Sequence, residues 1–151
     1  MTDERLTANF WLSEFLASDT AARLGIDNTP TAMVEATIRN VLAPGMQAVR
    51  DLLGVPVQIT SGYRSPKLNA AVRGSQGSQH CSGHAADFRA PGFGTPRRVC
   101  ELLVQRMALV RFDQLIHEGS WVHISFAPRQ RNEVLTAHFR PDGVSYTRGL
   151  S

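Results

Sequence analysis

The sequence has little cysteine, little lysine and no long apolar run, and each shortage removes a class of explanation. Cys81 and Cys100 stand alone, nineteen positions apart, without the paired CxxC spacing of a structural zinc site. With no secretion signal ahead of them, they are expected to be reduced thiols rather than a bridge. No stretch approaches about eighteen uninterrupted apolar residues, so no integral membrane segment is expected. The start, Met1-Thr2-Asp3-Glu4-Arg5, is acidic-mixed and leads to no apolar signal core, which predicts synthesis in the cytoplasm without a signal peptide. Arginine far outnumbers lysine, yet the net charge of +3 and the pI near 9.4 are only mildly basic. Scattered surface arginine accounts for that balance, and no basic cluster with interleaved aromatics argues for nucleic acid as a partner.

What is present suits one domain: 151 residues with 42% apolar composition can bury a sizeable core. The first third reads as helical, over about residues 7–53. Thr7 to Leu16 forms one helix, with Ser13 or Asn9 as cap and Phe10, Phe15 and Leu16 as its apolar stripe. Phe10, Trp11 and Phe15 are read as core rather than as a sugar-binding platform. Past the loop Asp27-Asn28-Thr29-Pro30, Thr31 caps a second helix in which Val34, Ile38, Val41, Leu42, Met46, Val49 and Leu53 keep close to the 3.6 period. Pro44 should kink it or restart it, and Gly54 ends it.

Residues 55–126 follow as a mixed segment. Val55 to Thr60 alternates like a strand, Lys67 to Val72 reads as a short helix, and Gly74 to Ser78 is a polar glycine-rich loop. Thr95 caps a helix with Pro96 at its first position. Phe112 to Glu118 and Trp121 to Phe126 are two strands around the turn signal Gly119-Ser120. A C-terminal hairpin spans about residues 133–147, around Pro141-Asp142-Gly143. Helices first and an antiparallel meander later argue an α+β fold.

The chemistry gathers in Ser78-Gln79-His80-Cys81-Ser82-Gly83-His84-Ala85-Ala86-Asp87 and in His123 of the later apolar strand. Imidazole and carboxylate both suit Zn2+, and catalytic zinc keeps three protein ligands with an open fourth position. His80, Asp87 and His123 make such a set. Pairing His80 with His84, as in HExxH peptidases, is a poor rival because Cys81 follows His80 and Gly83 weakens a helix. In a strand through Gly83 to Phe88, Ala85 and Asp87 share one face, and His84 points to the other.

The hairpin register sharpens this. With Gly119-Ser120 as a two-residue loop, Glu118 opposes Trp121 and Ile116 opposes His123, all on one face. Glu118 is then the diagonal neighbour of His123, about 7–8 Å away at the backbone. A carboxylate so held can take a proton from metal-activated water and hand it to a leaving amine, which is metal-assisted hydrolysis.

The pattern Ser78-x-His80-x-x-Gly83-x-Ala85-x-Asp87, followed by Trp121-x-His123 and preceded by Ser61-Gly62-Tyr63-Arg64-Ser65, closely resembles the zinc D-alanyl-D-alanine carboxypeptidase family. That is peptidase family M15, phage endolysins included, and the likeness runs from about Phe10 to Phe126. It implies the hedgehog/DD-peptidase fold, one zinc per chain on His80, Asp87 and His123, and peptidoglycan stem peptides as substrate. It also puts Arg64 on the substrate, through a carboxylate that suits a guanidinium fork, and Ser78 at the lining of the substrate site. Many members carry the catalytic acid three positions before the last histidine, and here that position is Ser120. Glu118 is the nearest acid, so either it is the base or the domain binds zinc without catalysis, as a wall-binding or interaction module.

The resemblance implies a carboxypeptidase or endopeptidase that degrades cell wall. Without a signal peptide, it would be a phage or prophage enzyme released by another protein, or a virion component. A monomer is expected. Cys81, His84, His117 and His138 take structural roles, and the loops Pro91 to Thr95 and Arg129 to Asn132 are expected to shape the substrate pocket.

Overall fold

Six strands form one sheet in the computed structural model, which describes residues 2–151, and their order explains where a site can sit. The chain runs α1 (Leu12–Leu16), α2 (Asp19–Leu24), α3 (Ala32–Thr37), a π-helical segment (Ile38–Leu42), α4 (Ala43–Leu53), β1 (Gln58–Ser61) and α5 (Pro66–Ala71). It continues with β2 (Ala85–Arg89), α6 (Pro96–Gln105), β3 (Gln114–His117), β4 (Val122–Ser125), β5 (Glu133–Arg140) and β6 (Gly143–Arg148). The strands lie in the order β1-β2-β4-β3-β5-β6. The architecture is α+β, with a mostly antiparallel sheet.

The expected meander is corrected at one joint: β3 and β5 pair in parallel, with Ile116 opposite Leu135. The β3-β4 hairpin places β4 between β3 and β2, so β4 has no free edge left. The chain returns through residues 126–132 to the open edge of β3, and that return sets β5 parallel.

The N-terminal helix is shorter than expected. Residues 5–11 close a bridge and turn, with Arg5 paired to Trp11, and helix begins only at Leu12. Asp3 accepts hydrogen bonds from both the backbone and the hydroxyl of Ser13, so Ser13 does not cap. The Glu14 carboxylate instead accepts the Trp11 N–H at 2.7 Å. Trp11 leaves the expected core group and stands 43% exposed, while Phe10 and Phe15 are buried.

Thr31 caps α3 through its side chain, as its position predicts. Pro44 lacks an N–H to give the preceding turn, and the helix answers with the π-helical segment, where Ala43 donates to Ile38, before α4 restarts around the proline. Pro56 likewise delays β1 to Gln58. The short α2 adds a helix where the sequence pattern predicts none.

Ile38, Leu42, Met46 and Val49 from the helices meet Val99 and Leu103 from α6 over one face of the sheet, which supplies Ala86, Phe88, Leu115, Val122 and Ile124. Alternation turns the intervening residues, Asp87, Ile116 and His123, to the opposite face. That second face floors a cleft of about 560 Å³. No helix among the described residues is long and apolar enough to cross a membrane.

Candidate metal centre and cleft

The centre is assembled by strand pairing. β2 and β4 are antiparallel with Asp87 directly opposite His123, and β3 sets Ile116 opposite His123 on the other side, the register expected from the two-residue turn. His80 arrives from the turn that precedes β2. Gly83 makes that turn possible, because its backbone has φ +80 and a Cβ there would press on the Val34 carbonyl oxygen at 3.0 Å. His84 points away from the cleft, with its ring Nδ1 2.7 Å from the Ser82 hydroxyl.

His80 Nε2 lies 3.2 Å and His123 Nδ1 3.0 Å from the same oxygen, Oδ1 of Asp87. The ligating atoms of these three residues all lie within 4.8 Å of one another, and Cys81 is not among them. Both thiols are free, and Cys100 is buried.

Donor chemistry tests whether a metal fits. His80 Nδ1 is 2.7 Å from the Gly62 carbonyl, which only accepts, so Nδ1 carries the hydrogen and Nε2 presents its lone pair. Burial lowers the His80 pKa against the pull of Asp87, which favours the neutral ring. Burial alone would raise the Asp87 carboxyl, but the electrostatic pull of the neighbouring His80 and His123 rings outweighs it and holds the Asp87 pKa below its ordinary value, so the carboxylate is ionised. A lone pair and a carboxylate oxygen 3.2 Å apart need a cation to share. That separation is close to the edge, about 3.3 Å, of a tetrahedron with zinc-like bonds of about 2 Å. The residues fit the metal.

Around this group, Arg64 donates to Asp87 Oδ2 at 3.2 Å and to the Ser61 hydroxyl at 3.1 Å, so it orients the second carboxylate oxygen while lining the cleft. Ser78 also lines the cleft, and its hydroxyl accepts the His80 N–H at 3.2 Å. Glu118 sits at the hairpin end with its N–H donating to the Trp121 carbonyl, and both residues face the cleft. Burial and the Asp87 charge raise the Glu118 pKa, while His123 and Arg64 oppose that rise. A half-buried carboxylate so placed is suited to accept a proton.

The Peptidase M15 family model matches residues 8–125. The chain belongs to peptidase family M15. Comparison with curated proteins finds no match. M15 peptidases are usually zinc-dependent, and the histidine, aspartate and histidine group in this chain is of the kind such a metal takes. In this M15 chain Ser120 is exposed and absent from the cleft wall, whereas Glu118 is in it.

Of the two loops expected to shape the pocket of this family member, only the second does so. Arg129 and Arg131 line the cleft, but residues 91–95 lie away from it, where Gly92 packs beside Val55.

Sequence reasoning missed the anchor beneath that second loop. Asp113 is fully buried and holds Arg131 through Nε at 2.8 Å and Nη2 at 2.9 Å, accepts the Arg131 N–H at 3.0 Å, and accepts from Gln79 at 3.1 Å. One carboxylate thus ties the loop before His80 to the loop after β4. Its only trace in the sequence is a charged residue next to Phe112 at the start of an apolar strand.

Proposed function

We propose that the chain is a zinc peptidase of the hedgehog/DD-peptidase fold that hydrolyses peptidoglycan stem peptides, as a D-alanyl-D-alanine carboxypeptidase or an L-alanyl-D-glutamate endopeptidase. The observation that carries this reading is the convergence of His80 Nε2, Asp87 Oδ1 and His123 Nδ1 beside Glu118 in one cleft. The setting we assign is phage or prophage lysis of the cell wall.

His80, Asp87 and His123 would hold one Zn2+ per chain. When bound, zinc supplies a Lewis acid and brings the pKa of water down to about 7. Glu118 takes a proton from the attacking water and returns it to the departing amine. Arg64 keeps Asp87 in place with one N–H and directs the N–H groups not used by Ser61, Asn69 and Asp87 to a substrate carboxylate. Ser78 fixes the approach of His80 and lines the path of the peptide. The Gly62 carbonyl holds the His80 tautomer that leaves Nε2 free.

Mass spectrometry of muropeptides after digestion of purified walls tests the reading. Released D-alanine identifies the carboxypeptidase, and peptides cut after L-alanine identify the endopeptidase. No fragment from any wall type contradicts the peptidase reading and favours the alternative, a zinc-binding module of the same fold in wall binding or protein interaction.

A further inference from the structure

Tyr146 lies in β6, beyond the residues that the M15 family model matches, and yet it lines the cleft with His80, Asp87, Glu118 and His123. The sheet register explains how an edge strand reaches the centre. His117 pairs with Thr136, so the next position sets Glu118 beside Ala137, and Ala137 pairs with Tyr146. Glu118, Ala137 and Tyr146 therefore form one row across the sheet, on the face that carries the metal group.

Neighbouring strands are about 4.8 Å apart, which separates the backbones of Glu118 and Tyr146 by about 10 Å. The residue between them carries only a methyl, and Ala137 keeps just 8% exposure. A larger side chain at that position would stand between the two. With alanine there, no bulky side chain of β5 separates the half-exposed phenol from the carboxylate, and both line the cleft.

We propose that Tyr146 is a further catalytic residue, whose phenol O–H donates a hydrogen bond to the oxygen of the scissile carbonyl as water adds to it. The inference rests on the peptidase reading above. Charge grows on that oxygen during addition, and a donor already aimed at its position lowers the barrier without moving. The proton stays on tyrosine, so no bond to it is made or broken. Partial desolvation, with the charges of Glu118 and Asp87, raises the phenol pKa, so the group stays a donor through the neutral range. Glu118 accepts and Tyr146 donates, which divides the two tasks across one row of the sheet.

The test compares zinc-loaded wild type with Tyr146→Phe. Two measurements are made: steady-state hydrolysis of purified muropeptides, and calorimetric affinity for phosphinate analogues of D-alanyl-D-alanine and of L-alanyl-D-glutamate. β6 is exposed along its whole length, so the variant folds. The expected result is unchanged zinc content and KM, with kcat and the affinity for the better phosphinate both lower by about 10-fold to 100-fold. A merely structural tyrosine would not separate kcat from KM in this way. If wild type hydrolyses no wall fragment but still binds a phosphinate about 10-fold more tightly than Tyr146→Phe does, the phenol's hydrogen bond to the tetrahedral oxygen stands and the reading of the chain as a wall hydrolase falls. Phosphinate affinity equal in the two proteins overturns the assignment, whether or not walls are cut.

Discussion

Oδ1 of Asp87 faces two imidazole nitrogens and Oδ2 faces a guanidinium, so one side chain joins the metal group to the cleft wall. Substituting it would remove one of the three proposed ligands and leave Arg64 and His80 without their common partner. We expect about one zinc per chain in the purified protein, falling sharply in His80→Ala, Asp87→Ala and His123→Ala when measured by elemental analysis after dialysis. Unchanged zinc in any of the three removes that residue from the set. Asp87 and His123 were legible as neighbours because strand alternation and a two-residue turn fix which side chains share a face, whereas His80, in the turn before β2, was legible only through the motif it belongs to. Tyr146 and Asp113 were not legible, because their positions depend on partners that lie far away along the chain: Asp113 meets Arg131 across the sheet end, and Tyr146 reaches the centre only through the pairing of β5 with β3.

At the scale of elements, the cleft is held open by loops that carry no regular structure of their own. Asp113 joins the approach to His80, the start of β3 and the chain after β4. Hydrogen bonding from Arg131 lowers the Asp113 pKa from 3.8 to about 2. Because the folded value is depressed, the stabilisation is complete above the unfolded value and is lost as pH falls from about 4 through about 2. Asp113→Asn should cost about 2 kcal/mol at neutral pH, less than a fully buried pair because Arg131 is one-third exposed. The variant should also flatten the acid limb of stability measured by urea unfolding. An Asn variant as stable as wild type, with the same acid limb, would show that the carboxylate does not anchor the loops. Among the helices, the Thr31 and Thr95 caps and the effect of Pro44 were readable because each acts within one turn. The helix α2 does not stand out although Ser18 caps it and Gly25 ends it, because six residues carry too little periodicity.

For the whole molecule, the α+β class followed from the order of helical and strand patterns, whereas the parallel joint between β3 and β5 did not. Sequence alternation says which face a residue takes but not which strand lies beside it. The sheet puts the helical core on one face and the metal group on the other, so metal and fold are coupled through β2 and β4. Zinc that binds only the folded chain should raise stability by about 2.7 kcal/mol at a free concentration about 100 times its Kd. Thermal unfolding with zinc and with a chelator should show that difference, and it should vanish in His123→Ala. An equal chelator effect in His123→Ala would place the metal elsewhere.

The claim that Glu118, and not the position at Ser120, supplies the base is tested most directly by one comparison: digestion of purified peptidoglycan by wild type and by Glu118→Gln, with zinc measured in the same samples. Equal zinc in both proteins is expected, with fragment release slower in the variant by about 100-fold to 10,000-fold. A Glu118→Gln protein that holds its zinc and digests walls at the wild-type rate would contradict it.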